Sequence, residues 1–345
     1  MGGNVVALEP VEHVLLTHKS PAKALPEPDV KSRDLSKQVA TATLIVDEPR
    51  RSNLRETAQK ALEAVEMQGG SGLCEVRMRI DAATGEISVL KVNASPNIFY
   101  PRGSSPIDKV IELTYPGAHA ALFDMLLATK SIQTKAYHQS HEIVCNFYRN
   151  YSKTYDNAWD LPIREVIRHV MAVDFDWSGR VLDLCCGSGF LGNALHDAGW
   201  KSDVVGVDIS TDMAAKERAK KYYKQPIHIE PIEEFVMNAD TFDHVVCCNS
   251  MHYLPPFIFT SVLSRMFMIA CRSVSFEIYD TPEKHIKAIN TKIGTTSLYN
   301  NTKQFERFPT PKGWKMVFKK EQFLFQSPNS GTDVYGTLYR YEKQE

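Results

Sequence analysis

From position 181 onward the chain repeats one pattern: a short apolar run, a turn signal, then a stretch whose apolar residues recur at helical spacing. VLDLC at 181–185, DVVGVD at 203–208, IHIEPI at 227–232, DHVVCCNS at 243–250 and SVSFEIYD at 273–280 read as strands. Helices are predicted over 187–198, 212–223 and 255–270, and a helical lead-in, HEIVCNFYRNYSKTYDNAWDLPIREVIRHVM, precedes the first strand. Near-continuous apolar strands alternating with helices predict an α/β domain whose parallel sheet is covered on both faces. The ending differs. WKMVFKKEQFLF and DVYGTLYRYE are consecutive strand patterns separated only by SPNSGT, which predicts an antiparallel hairpin.

The first part of the chain is patterned differently. Residues 18–54 are rich in Pro, Lys and Ser, with few large apolar positions before TATLIV, and part of this stretch reads as loose. Leu54, Ala58, Ala61, Leu62 and Val65 set a helix over 54–67, and GGSG at 69–72 breaks it. Two strand-like runs, 74–80 and 87–92, are joined through Ala82-Ala83-Thr84-Gly85 as a hairpin, and 117–128 reads as another helix. A polar stretch, TKSIQTKAYHQSH, follows. The boundary is placed there, giving domains 1–130 and 131–345.

Composition narrows the classes. The 345 residues are 43% hydrophobic and 23% charged, ordinary for a chain that buries a core. Lys plus Arg is 40 against Asp plus Glu 41, a formal net charge of -1, so no basic surface points to nucleic acid. The run KERAKKYYK reads as the solvated face of a helix. No stretch of about eighteen apolar residues suggests a membrane span. No secretory signal is visible, and Val6 stands where a myristoylation site prefers Ser or Thr. Cys74, Cys145, Cys185, Cys186, Cys247, Cys248 and Cys271 follow no loop spacing, as expected of reduced thiols in a cytoplasmic protein. Adjacent residues of a strand point to opposite faces, so the pairs 185–186 and 247–248 each offer one thiolate per side, and no metal site is expected.

The chemistry-bearing segment is VLDLCCGSGFLG, 181–192. A strand ends at a tight loop whose glycines, Gly187 and Gly189, allow close approach to a ligand, with helix amides beyond them. Asp208 closes the next strand, about 20 residues on, where a carboxylate can accept both ribose hydroxyl protons. The same residues satisfy the dinucleotide fingerprint literally. Asp183 argues against that reading: a carboxylate aimed at the loop suits the ammonium of a methionine moiety and repels a pyrophosphate. S-adenosyl-L-methionine is therefore the expected cofactor.

VLDLCCGSGFLG, VVGVDIS and FDHVVCCNSMHYL together resemble the small-molecule branch of the class I S-adenosylmethionine-dependent methyltransferases. The resemblance implies a Rossmann-like seven-stranded sheet closed by the C-terminal hairpin. It implies ribose at Asp208 and Ile209, adenine beside Ile232 and Glu233, and the methyl group near Asn249 and Ser250. The lead-in helix resembles one whose tyrosines, here Tyr151 and Tyr155, cover the cofactor. His252 and Tyr279 are the candidate catalytic residues, and Tyr299, Asn300 and Asn301 lie in an insertion where a substrate lid is expected. Cys185 stands where the family has its first glycine.

SGLCEVRMRIDAATGEISVLKVNASPNIFYP resembles the last portion of the ATP-grasp fold of D-alanine–D-alanine ligase-like enzymes. Lys91 and Arg77 or Met78 replace the magnesium-binding acids, which implies a small α+β remnant without ligase chemistry, retained as a structural or docking element. The function expected is methylation, at oxygen or nitrogen, of a small molecule such as an amino-acid- or peptide-derived metabolite; the alternatives are a cyclase or other non-methylating use of the same cofactor, and a non-catalytic module that binds the cofactor or a partner. No nucleic-acid or membrane partner is expected. A homodimer, or docking through the N-terminal fragment, stays open.

Overall fold

The computed structural model describes residues 7–8, 10–15, 39–45, 47–65, 73–94, 96, 98, 106–132, 135–158, 175–293 and 298–344. The predicted break at 69–72 and most of the loose stretch in 18–54 lie outside them. The chain divides into two compact units, Met1–Ala120 and Ala121–Glu345, ten residues before the boundary read from composition. Among the described residues no helix is long and apolar enough to cross a membrane.

Among its described residues the first unit contains two antiparallel strand pairs and two helices. β1 (Val11–Leu15) pairs with β2 (Val39–Leu44), followed by α1 (Arg50–Ala64). β3 (Glu75–Ile80) and β4 (Ile87–Asn93) form the predicted hairpin. Its turn is held by Asp81, whose Oδ1 accepts from the backbone N–H of Ala83 and Thr84 at 2.9 and 2.8 Å, and by Gly85 at φ 73°. α2 (Pro106–Thr114) closes the unit.

The second unit begins within α3 (Ala118–Ile132), which α4 (Lys135–Ala158) follows, so the polar stretch where the boundary is placed from sequence is helical on both sides of 133–134. The sheet strands are β5 (Arg180–Leu184), β6 (Asp203–Asp208), β7 (Lys224–Ile229), β8 (Phe242–Cys247), β9 (Ala270–Asp280), β10 (Trp314–Gln326) and β11 (Asp333–Lys343). Their order is β10-β11-β9-β8-β5-β6-β7. β9, β8, β5, β6 and β7 run parallel, and β11 enters antiparallel between β9 and β10. This last strand, inserted antiparallel between β9 and β10, is the closing hairpin expected from the sequence.

The helices between strands are α5 (Phe190–Asp197), α6 (Thr211–Ala214), α7 (Glu217–Tyr222), α8 (Ile232–Asn238), α9 (Pro256–Ile269), α10 (Glu283–Ile293) and α11 (Thr302–Glu306). Two differ from the sequence expectation. The helix predicted over 212–223 is split, because Lys216 takes an extended ψ of 144° and re-aims α7 onto the Gly-rich turn. The strand predicted to reach Ile232 ends at Ile229, because Pro231 precedes a helix whose first turn carries Glu233 and Glu234. The apolar run had concealed that start.

Period-two alternation sorts the strands onto two cores. Leu182 and Leu184 of β5, with Val205 and Val207 of β6, join Phe259, Val262 and Met266 on one face. Val181 and Val204 join Trp177, Leu195 and Tyr223 on the other. Asp183 and Gly206 fall on that second face. Tyr223 lies against both, and its ring leaves no room for side chains: a Cβ on Gly192 would stand 2.6 Å from Tyr223 Cε2, and one on Gly206 2.8 Å from Cδ1. Gly192→Ala is therefore expected to destabilise the fold by about 1–3 kcal/mol through overpacking. Thermal or urea unfolding checks this, and an unchanged midpoint would contradict the packing described.

Candidate functional site

The carboxyl ends of β5, β6 and β8 open into one cleft, which α4 crosses. β5 delivers Asp183, 5% exposed, and the turn after it bends through Cys185, at φ 64°, and Gly187, at φ 54°. β6 delivers Asp208, 7% exposed. Its two oxygens tie the strand ends together: Oδ2 accepts from the backbone N–H of Gly187 at 2.8 Å, and Oδ1 from that of Ser210 at 2.7 Å. Asp183 Oδ2 accepts from the Tyr223 hydroxyl at 2.5 Å, and that hydroxyl accepts in turn from the backbone N–H of Gly192 at 3.0 Å.

One face of α4 touches the turns after four strands. His141 Nε2 lies 2.7 Å from Glu233 Oε1, and Cys145 Sγ donates to the Ile209 carbonyl at 3.4 Å. The hydroxyls of Tyr148 and Tyr253 are 3.2 Å apart. Near the helix end, Asp156 Oδ1 accepts from Ser188 Oγ at 2.8 Å and from Arg218 at 3.4 Å, while the guanidinium of Arg218 sits 4.0 Å over the Phe190 ring.

Of the residues singled out from sequence, Tyr155, Asp183, Gly187, Asp208, Ile209, Ile232, Glu233, Asn249 and Ser250 line this cleft. Tyr151 sits one turn away, edge-on to Tyr155 at 5.6 Å, and does not line it. Gly189 has a different reason to be glycine than ligand approach: a Cβ there would stand 2.6 Å from Ala219 Cα, so α7 occupies the space. His252 and Tyr279 are also outside the lining. Their rings stack on one another at 4.3 Å and 20°, and Tyr279 donates its hydroxyl to Asn249 Oδ1 at 2.8 Å. Tyr299 lines the cleft, whereas Asn300 bonds Asp280 Oδ1 and buried Asn301 donates to the carbonyls of Met251 and Leu254. Among the described residues no cluster of metal ligands is present.

Sequence reasoning missed four residues. His141 and Tyr148 share with Tyr155 a seven-residue spacing along α4, a helix-face signal that could have found both. Tyr253 follows β8 in a short turn, with no signal of its own. Glu277 is fully buried in β9, and its acid within the apolar run SVSFEIYD was legible. It takes the backbone N–H of Asn249, which sits at φ 60°, and the Gln322 amide at 3.1 Å.

Burial dominates the electrostatics. It raises Asp183 to about 7, against the Tyr223 hydrogen bond, and Asp208 to about 6, against two backbone N–H bonds. Glu233 and Glu277 are each pushed up to about 7 by the same desolvation. Burial lowers His252 to about 3 and raises Tyr253 to about 12, so neither ring exchanges protons readily at neutral pH.

Sheet order, glycine turn and the acid closing β6 define the class as a Rossmann-like α/β domain with a carboxylate-lined cleft at the strand ends. Residues 181–270 match the family described as "Methyltransferase domain". The Bacillus subtilis (strain 168) protein named "Putative methyltransferase YqeM" is 29% identical over 110 residues, 31% of this chain and 44% of that protein, so the chain spans less than half of that relative's length. Similar solved structures include magnesium protoporphyrin IX methyltransferase from Synechocystis PCC 6803 with bound SAH, 16% identical with a TM-score of 0.43, covering 59% of this chain and 100% of that one. Another is the 1,6-didemethyltoxoflavin-N1-methyltransferase of Burkholderia thailandensis with its substrate and S-adenosylhomocysteine, 13% identical with a TM-score of 0.41, covering 60% and 90%.

Cys185 adopts a left-handed conformation, φ 64°, that a glycine would occupy without strain. A glycine replacing it would lose backbone order worth about 0.5–1 kcal/mol but relieve left-handed strain of about 1–2 kcal/mol. Cys185→Gly is expected to leave the unfolding free energy within about 1 kcal/mol of the parent. A large loss on thermal unfolding would contradict this.

The raised carboxylates set a second expectation. A folded-state pKa above the unfolded value stabilises fully below the unfolded pKa, and that stability is lost as pH rises through about 6–7. The lowered His244 and His252 act in the opposite sense, so the readout is a difference. Between pH 5 and pH 8 the parent should lose more thermal stability than Asp208→Asn. Parallel pH profiles would contradict this.

Proposed function

We propose that the chain is an S-adenosylmethionine-dependent methyltransferase acting on a small molecule. The observation that carries this reading is the charge of the cleft: Asp183, Asp208 and Glu233 line it, and no Lys or Arg does among the described residues. Such a wall repels a diphosphate and suits a cofactor with an ammonium and a sulfonium. A dinucleotide is the poorer fit despite the glycine spacing.

In this reading Asp208 accepts the ribose hydroxyls through the lone pairs left beside its two backbone bonds, and Gly187 leaves the floor open. Ile209, Ile232 and Glu233 flank the adenine. Asp183, held in one orientation by Tyr223, faces the methionine ammonium, while Asn249 and Ser250 face the reacting end. Tyr155, with Tyr148, covers the cleft from α4. Bound S-adenosylmethionine supplies a methyl group on a positively charged sulfur, already activated toward a nucleophile. The protein's work is to align the acceptor with the C–S bond. Neither His252 nor Tyr279 contacts reactants in this scheme; Tyr279 acts through Asn249.

For the N-terminal unit we infer a structural or docking role without ATP-dependent ligation. It is supported by the β3–β4 ladder, where Arg77 faces Lys91 at the position that metal chemistry would require to be acidic.

Calorimetric titration with S-adenosylmethionine tests the reading. Asp208→Ala should weaken binding by about 2–4 kcal/mol, from two charge-assisted hydrogen bonds of about 1.5–3 each with partial compensation. A variant that binds as the parent does would refute the site assignment.

A further inference from the structure

The wall of the cleft opposite the carboxylates in chemistry is aromatic and uncharged. Tyr148 and Tyr155 of α4, Tyr253 after β8 and Tyr299 before α11 all line it. Tyr148 meets Tyr253 and Tyr155 edge-on, at 6.2 and 6.3 Å between centroids. The backbone N–H of Tyr299 donates to the His252 carbonyl at 2.8 Å, which anchors the segment carrying the fourth ring. Rings presented in this way favour a flat aromatic guest.

Polar groups on this wall are sparse and directional. Asn249 Oδ1 is occupied by the Tyr279 hydroxyl, and its amide nitrogen makes no hydrogen bond among the described residues. That nitrogen can only donate, so it calls for an oxygen on the guest. No Lys or Arg among the described residues lines the cleft to neutralise a phosphate or carboxylate. The stacked His252 lies behind Tyr279, outside the lining, where it cannot take a proton from a guest.

Resting on the methyl-transfer reading above, we propose that the acceptor is an uncharged planar aromatic compound bearing a weakly acidic hydroxyl, whose oxygen Asn249 Nδ2 holds. The hydroxyl proton leaves to bulk water. The oxygen lone pair then forms the new bond to the methyl carbon, and the electrons of the broken C–S bond pass to sulfur, giving an aryl methyl ether and a neutral thioether.

The test uses the full chain saturated with S-adenosylhomocysteine and titrated with 2-naphthol, naphthalene, 2-naphthyl phosphate and cyclohexanol. 2-Naphthol should bind at least ten-fold tighter than the phosphate or the non-planar alcohol, and about five-fold tighter than naphthalene. In Asn249→Ala the naphthol-to-naphthalene ratio should fall to near one; a ratio is insensitive to partial loss of fold. Should that variant not fold, Tyr279→Phe, which frees the amide to rotate, should lower the same ratio. Equal or tighter binding of the phosphate or cyclohexanol, no binding of 2-naphthol, or an unchanged ratio overturns the proposal. Failure of S-adenosylhomocysteine itself to bind overturns the methyl-transfer reading instead, and this proposal with it.

Discussion

A carboxyl group buried at the end of the first sheet strand needs a partner, and the partner that Asp183 finds organises the domain around it. The Tyr223 hydroxyl reaches Asp183 at 2.5 Å while accepting from the Gly192 amide. For the ring to lie there, the start of α5 and the middle of β6 must both present glycine, as Gly192 and Gly206 do. The same ring therefore sets the spacing of helix to sheet and the orientation of the acid. Asp208 works alongside it, holding the Gly187 and Ser210 amides and so the separation of two turns. Desolvation opposes both arrangements, as the raised pKa values record, and hydrogen bonds only partly offset it.

The glycines of the 187–192 loop thus serve three different ends. Gly187 meets a left-handed turn over the cleft floor, with only ordinary contact to Met213. Gly189 admits the backbone of α7, and Gly192 admits Tyr223. A spacing that reads as one ligand-binding motif is largely a packing motif, with only its first residues facing the open cleft. Cys185 shows the converse: a side chain tolerated at φ 64° because the turn is held from both sides.

α4 converts a set of strand ends into an enclosed cleft. Contacts at His141, Cys145, Tyr148 and Asp156 each meet a different turn, so the helix cannot tilt without loosening several at once. Its aromatic residues give the cleft an uncharged wall, against which stand the carboxylates of β5, β6 and α8. That asymmetry is the chemical character of the site.

Strand identity, the parallel sheet, the closing hairpin and the acids at 183 and 208 were legible in the sequence, because each depends on local periodicity or on a charged residue standing within an apolar run. The start of α8 after Pro231 was legible too, but the apolar pattern around it pointed to strand. Other features were decided only in three dimensions. Whether His252 faces the cleft depends on the turn after β8 and on stacking with Tyr279, which no spacing encodes. That Tyr148 lines the cleft while Tyr151 does not depends on the rotation of α4 about its axis, set by its contacts with four turns. Gly189 owes its lack of a side chain to Ala219, thirty residues away, and Glu277 meets the Asn249 amide across neighbouring strands. Local sequence determines which residue types sit at strand ends, whereas their direction is a property of packing between elements distant in the chain.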